Sequence, residues 1–378
     1  MRAEMPRRWK VLVATLVAAS LLLCGLPAAL ASPWAVSTLF DQASGGWVDP
    51  PGRFENTTSL RALELSPDAS ALYSGWLHGP QVVWRHDPVT GGVTATYDMG
   101  GVQANAIATD DRGFVYIGEG DYGAGEIRVA PSGLDSTVKS FGAKTGTEVE
   151  GMSIHKELPP GGDLPNYYLY VTRNDGTIER YNVTDPANPT LDASFGTAGV
   201  YSVLAGEALR GIEVGADGTM FVAQRDSDPG TGDRSGFVYA IPPTLPTDPG
   251  AIPSYDDIAA MDLALYGDTL YVTTYEGDGS MVFVFDVSGG LGFLDMLEPV
   301  VMDGPAREDV YGYSGIDVAA DGRVFFADQW FSVSGENLDR ILTNPPMQQQ
   351  GEPIIPEPAT VGLVGLGLLA LMRRKRRG

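Results

Sequence analysis

The sequence predicts an all-β fold, a β-propeller of six blades, with seven as the alternative. Three observations predict it. Glycine (48) and proline (27) are abundant among the 378 residues, and helical periodicity is scarce. Runs of alternating or continuous β-branched and aromatic residues are bounded by Asp-Gly and Pro-rich turns, the pattern of strands and hairpins. One unit recurs six times, and a repeat of this kind decides an architecture.

Each unit opens with a small residue, an apolar residue and an alternating strand. A turn follows, often Asp-Gly, and then a second strand rich in aromatics. The units begin at Ala62-Leu63-Glu64-Leu65, Ala106-Ile107-Ala108, Gly151-Met152-Ser153-Ile154, Gly211-Ile212-Glu213-Val214, Asp262-Leu263-Ala264-Leu265 and Gly315-Ile316-Asp317-Val318. Their second-strand aromatics align at 73, 116, 170, 221, 271 and 325, spaced by 43, 54, 51, 50 and 54 residues. A four-stranded blade takes ~40–50 residues. Third strands follow at 81–85, 126–129, 177–181, 236–241 and 281–287. The last unit runs out of strand after 338–343, and Trp34 to Phe40 is a spare strand ahead of the first unit. That strand is expected to complete the last blade, which favours six blades over seven. A single blade cannot bury both faces, so the ring must close.

The two ends of the chain are of another kind. Arg2, Arg7, Arg8 and Lys10 precede an apolar run, Val11 to Leu23, and Ala29-Leu30-Ala31 supplies small residues for cleavage before Ser32. Residues 1–31 therefore read as a secretory signal peptide. The run is shorter than the ~20 residues a span needs. Cys24, the only cysteine, leaves with it, and the mature chain has no disulfide. At the other end, Pro356-Glu357-Pro358-Ala359-Thr360 precedes the apolar stretch Val361 to Met372 and the basic run Arg373-Arg374-Lys375-Arg376-Arg377. Twelve apolar residues span ~18 Å as a helix, short of the ~30 Å hydrocarbon core. The expected organisation is 1–31 signal peptide, 32–345 propeller, 346–355 linker and 356–378 sorting tail.

That tail resembles the PEP-CTERM sorting signal of Gram-negative bacteria in all three parts and in order. The resemblance implies recognition by a membrane-bound exosortase at Pro356, Glu357 and Pro358, transient membrane contact through the tail, and delivery to the cell surface, outer membrane or extracellular matrix. Such proteins are often linked to exopolysaccharide production. The unit Gly-Ile-x-Val-x-x-Asp-Gly-x-x-Phe-Val-Ala at 211–223, nearly repeated at 315–327, resembles NHL and gluconolactonase-like propeller repeats. That resemblance speaks to architecture and not to activity.

Charge narrows the partners. With residues 1–31 and the terminal basic run set aside, 16 Lys and Arg face 47 Asp and Glu, a net of about −31. Nucleic acid and anionic lipid need a positive surface, so neither is expected as a partner of the body. A polysaccharide or a surface protein fits better.

Candidate sites follow from the repeat. The residues just ahead of the inner strands, Arg61, Asn105, Glu150, Arg210, Met261 and Ser314, are expected at one mouth of the central channel, where polar groups would suit a small polar ligand. Gluconolactonase-like enzymes hold a divalent metal there with a carboxylate, an asparagine and an aspartate. Glu150, Asn105 and Asp262 can be cast in those roles, which gives the alternative of a metal-dependent hydrolase or lactonase, although the surrounding motifs do not match. Asp226, Asp228 and Asp233 share a glycine-rich loop and could ligate calcium, which favours many oxygens. No other cofactor is indicated. Gly118 to Gly123 matches G-x-G-x-x-G but is followed by a strand, so it reads as a hairpin. Glu64, Glu213 and Asp317 recur at one position of the inner strands, where structural hydrogen bonds are expected. Trp47, Trp76, Trp84 and Trp330 lie near strand ends, where a tryptophan either stacks on sugar or packs between blades. No nucleophile motif is present. The reading is a displayed binding propeller.

Overall fold

The computed structural model describes residues 32–41, 60–76, 81–120, 123–161, 164–202, 204–225, 236–256, 258–274, 281–301, 312–333 and 336–344. They form a propeller of six blades. The inner strands are Leu60–Leu65, Ala104–Thr109, Val149–Glu157, Leu209–Val214, Ala260–Tyr266 and Gly312–Val318. Each inner strand touches the next, and the sixth touches the first. Within a blade the strands pair antiparallel in sequence order, from the channel outward. The third blade has a split outer strand, Thr190–Leu191 and Val200–Tyr201, both pairing with Ile178–Asn182. Among the described residues the one helical turn is a 3-10 turn at Pro249–Ala251, capped by the Asp248 side chain.

Six apolar clusters hold the ring, one at each seam between blades. This explains the aromatic second strands. A middle strand is covered on both faces, so alternate residues feed the two seams beside it and no polar face is needed. In Leu72–Trp76, Leu72 joins the seam with the sixth blade and Tyr73 the seam with the second. All five residues of that strand are buried. Trp76 and Trp84 pack edge to face at 4.9 Å inside the first of these seams and are not exposed platforms.

The small residue that opens each unit now has a reason. A Cβ on Gly151 would stand 2.5 Å from the Arg210 carbonyl oxygen and 2.8 Å from Gly211 Cα. One on Gly211 would stand 2.7 Å from Asp262 Cα, and one on Gly315 2.9 Å from the Arg61 carbonyl oxygen. Inner strands of neighbouring blades approach backbone to backbone, and only a missing or minimal side chain allows it.

Closure uses the N-terminal strand Ser32–Asp41. Its second half, from Ser37, pairs antiparallel with Glu336–Thr343 and completes the sixth blade. Its first half pairs parallel with Gly292–Val301 of the fifth blade, Ser32 opposite Leu297. The strand thus joins two blades into one eight-stranded sheet. The seam with the first blade is stitched by side chains. The buried Asp339 carboxylate accepts from the Leu60 amide at 2.9 Å, and Ser314 donates to the Leu60 carbonyl at 2.5 Å. Further round, buried Arg173 is paired with Glu179 and donates to the carbonyls of Gly125 and Gly142, tying the third blade to the second.

The close approach at Gly151 gives a test. Gly151→Ala should destabilise the ring by about 1–3 kcal/mol, the usual cost of forcing an atom into filled space. Gly133→Ala, where an added Cβ meets nothing within 4 Å, should stay within about 0.5 kcal/mol. Urea midpoints of the two variants decide it, and equal midpoints would contradict the packing described.

Candidate functional site

The six mouth residues do not precede the inner strands, as expected; they sit inside them. The ladder between inner and second strand slips by one residue between Leu60 and Ala62, Ala104 and Ala106, and Val149 and Gly151. It slips again between Leu209 and Ile212, Ala260 and Asp262, and Tyr313 and Ile316. Arg61, Asn105, Glu150, Arg210, Met261 and Ser314 fall in these slips. Every blade therefore carries a β-bulge at the same height. A bulge adds a residue to one strand and re-aims its side chain. The fold repeats this device six times and so lines the channel at one level.

Arg61, Asn105, Glu150, Met261, Asp262 and Ser314 line a single cavity there, of about 20 Å³. That is room for one water and no more. The reason is a charge cluster that crosses the channel. Glu150, on the third blade, accepts from Arg61 of the first blade at one oxygen and from Arg210 of the fourth at the other, the latter at 2.6 Å. The Glu150 side chain is 2% exposed and the two arginines 11% and 16%. Burial pulls the Arg61 guanidinium below its ordinary value, with Arg210 pushing the same way and Glu150 opposing. Asn105 lies beside this cluster, its amide 3.4 Å from Glu148.

At the opposite mouth is a wider cavity of about 190 Å³, bordered by Glu64, Thr109, Ser153, Glu213 and Asp317. Its carboxylates bridge blades. Glu64 accepts from the Thr109 amide at 2.9 Å, Asp317 from the Leu65 amide at 2.6 Å, and Glu213 from the Ser153 hydroxyl at 3.2 Å. Asp262 accepts from the Ile316 amide at 3.1 Å. Asp262 is thus the one unit-opening residue that is not small, and its carboxylate reaches the next blade's backbone. Burial, more than any other cause, raises all four. Asp262 is pushed up to about 7 and Asp317 to about 6, while Glu64 and Glu213 stand well above the usual carboxylate range. Mutual repulsion adds to this: Asp317 and Glu213 act on Glu64, and Asp317 and Asp262 on Glu213.

The geometry does not favour a metal at Glu150, Asn105 and Asp262. Both Glu150 oxygens are engaged by guanidinium groups, whose charges would repel a divalent cation. Among the described residues no three His, Cys, Asp or Glu side chains converge as a metal shell. Asp226, Asp228 and Asp233 lie outside the described residues, as do Pro356, Glu357 and Pro358, Trp47 and the side chain of Trp330. One pair escaped the sequence reading. Ser74 Oγ is 2.8 Å from His86 Nε2, and His86 Nδ1 is 3.0 Å from the Gly91 carbonyl, the arrangement of a nucleophile and its base. Both residues are fully buried, and burial holds the imidazole at about 4. No substrate reaches them, so the pair packs the first blade. The two residues lie 12 apart on neighbouring strands, and only strand pairing reveals their contact.

Residues 355–377 match the PEP-CTERM protein-sorting motif. No curated protein matches the sequence. Among solved structures the chain is similar to U3-55K, at 10% identity and a TM-score of 0.47, over 79% of this chain and 99% of that one. It is similar to the β-propeller domain of Cps50 (Swd1) from Myceliophteria thermophila, at 12% identity and a TM-score of 0.45, over 75% and 96%. A protein of unknown function from Bacteroides caccae is similar at 11% identity and a TM-score of 0.44, over 73% and 84%.

Two outcomes are expected. A raised carboxyl is held neutral in the folded ring and ionises freely in the unfolded chain. Its contribution to stability is therefore complete below its ordinary value of 3.8 and is lost as pH rises through its folded value, about 7 for Asp262 and about 6 for Asp317. Turn carboxylates such as Asp68, held at about 2 by Ser66 and Ser70, act the other way and lose their contribution in acid. The melting temperature should then be higher at pH 5 than at pH 8, and Asp262→Asn should raise it more at pH 8 than at pH 5. A flat profile between pH 5 and 8 would contradict the burial of these groups. Separately, Glu150→Gln leaves two guanidiniums facing each other. It should cost about 2–4 kcal/mol in urea unfolding, near the cost of breaking a buried pair.

Proposed function

We infer that the chain, which carries a PEP-CTERM sorting motif, is an exported, exosortase-processed cell-surface protein with a propeller body. We propose that residues 1–31 direct export, that cleavage occurs near Pro356-Glu357-Pro358, and that the body is displayed at the surface or in the matrix to bind a partner rather than to turn over a substrate. The observation that carries this reading is the closed throat of the channel. Arg61, Glu150 and Arg210 fill the level at which a central active site would need an open cavity. Ligand sites usually take ~300–1,000 Å³. Arg61, Asn105, Arg210 and Asp262 then act as the polar floor of a binding face, with Glu150 holding the arginines in place. The acidic body favours a neutral polysaccharide or a surface protein over nucleic acid.

The second reading is a metal-dependent hydrolase or lactonase. The raised carboxyl groups of the channel support it, since strongly shifted groups cluster at functional sites. Against it, each of these carboxyls holds a backbone amide or a hydroxyl of a neighbouring blade. A calcium role for the Asp226, Asp228 and Asp233 loop is compatible with either reading.

The two are separated with purified residues 32–355. Elemental analysis and calorimetry with and without chelator should show no metal whose removal abolishes turnover of lactones or phosphoesters, and glycan arrays should show retention. A stoichiometric metal lost together with catalytic activity would overturn the binding reading. A lower melting temperature after chelation, without turnover at any stage, would assign the acidic loop to calcium.

A further inference from the structure

Two blades carry an arginine where the fold does not require one. On the third strand, the residue opposite the second-strand aromatic is Val129, Ala240, Val284 or Thr343 in four of the blades. In the other two it is Arg85, opposite Tyr73, and Arg180, opposite Tyr170. Their surroundings differ. One carboxylate oxygen of Asp192 accepts from Arg180 Nε at 2.8 Å and lies 2.6 Å from Nη2, which covers that edge of the guanidinium. In the first blade the neighbour on the outer strand is Thr94, whose hydroxyl accepts from Arg85 Nη1 at 2.9 Å. Arg85 Nε is shielded from solvent and has no hydrogen-bond partner. Among the described residues eight other arginines hold a carboxylate at ion-pair distance, and Arg85 holds none. Outside its two ends the chain has 47 acidic against 16 basic residues, so a shortage of acids is not the reason.

Arg85 lines a crevice of about 400 Å³ at the seam between the first and second blades. That volume lies in the usual range of ligand sites, ~300–1,000 Å³. Beside Arg85 the walls carry Asp68, Ser70, Asp110, Asp111 and Ser132. Asp110 is neutralised by Arg112 at 2.6 Å, and Asp111 by Lys156. Asp68, Ser70 and Ser132 are exposed. We propose that this crevice binds a sugar acid, a hexuronate whose carboxylate takes the Nε–Nη2 edge of Arg85 as Asp192 takes that of Arg180, and whose ring hydroxyls meet Ser70, Ser132 and Asp68. A guanidinium edge matches a carboxylate in two parallel hydrogen bonds. Ring hydroxyls both donate and accept, so serines beside an ionised aspartate suit a polyol. A protein partner would call for an apolar centre, whereas charges and hydroxyls surround Arg85. The net charge of the body opposes a polyanion at long range, but a single carboxylate meets one uncompensated guanidinium inside the crevice. The crevice sits at the turns that follow the inner strands, at the opposite end of those strands from the bulges. It is a second site, beyond the binding face of Arg61, Asn105 and Arg210.

Ligand-observed NMR titration of the full chain in mild detergent tests this. The probes are D-glucuronate and D-galacturonate, their neutral counterparts D-glucose and D-galactose, and acetate. At least one hexuronate should bind saturably. Its neutral counterpart and acetate should each bind at least about tenfold more weakly, because each lacks half of the recognition. Arg85→Gln should lower hexuronate affinity about tenfold or more, the usual loss for a hydrogen bond to a charged group. Thr94→Asp gives Arg85 the carboxylate that Arg180 already has. It should block the hexuronate to the same extent without lowering the melting temperature, so the test does not depend on a variant that fails to fold. No saturable hexuronate binding, or binding that both substitutions leave intact, overturns the proposal. Acetate binding as tightly as the hexuronate overturns the sugar acid and leaves a plain anion site. Capture of an acidic protein through Arg85 without hexuronate binding overturns it in favour of a protein partner. The binding face at the bulges keeps its own test in each case.

Discussion

Everything in this ring depends on the contact between one inner strand and the backbone of the next. Six blades meet around a narrow channel, and their inner strands lie closer together than ordinary side chains permit. Gly151, Gly211 and Gly315 meet backbone atoms of the following blade at distances a real Cβ does not show. Where glycine or alanine is absent, Asp262 fills the place and turns the contact into a hydrogen bond to Ile316. The seams farther out can then be filled by large residues, because the inner contact sets their width.

The same contact shapes the channel. Strands that crowd at this level are bulged at the residue beside the close approach, and each bulge sends one side chain inward. Five of the six residues so placed are polar or charged, among atoms largely removed from water. Such groups must find partners. Arg61, Glu150 and Arg210 find one another across the axis, and the channel is closed by that pairing. At the opposite mouth, Glu64, Glu213 and Asp317 hold hydroxyls and amides of neighbouring blades, at the expense of carboxyl groups that resist ionisation. At the level of the bulges the central channel is therefore packed as a polar core.

Closure by the N-terminal strand couples this body to the ends of the chain. A strand that pairs with both the fifth and the sixth blade ties the first described residues to the last.

Several features were legible in the residues alone. The spacing of Tyr73, Tyr116, Tyr170, Phe221, Tyr271 and Phe325 predicts six blades, since a repeat of that length makes one blade and the chain holds six. The terminal basic run after Pro-Glu-Pro marks the sorting tail, because its three parts are local in sequence. The net negative charge is what makes a nucleic-acid partner unexpected. The mouth residues were found by their place in the unit, although one step off, because a bulge leaves no mark in the periodicity of a strand. Only the tertiary structure decided what those residues do. Glu150 and Arg61 stand 89 residues apart, and Arg210 another 60 beyond Glu150; ring closure alone brings them together. The burial of Trp76, the enclosed Ser74 and His86 pair, and the raised Asp262 carboxyl have the same origin. Each depends on which blade lies next to which, and local sequence carries no term for that neighbour.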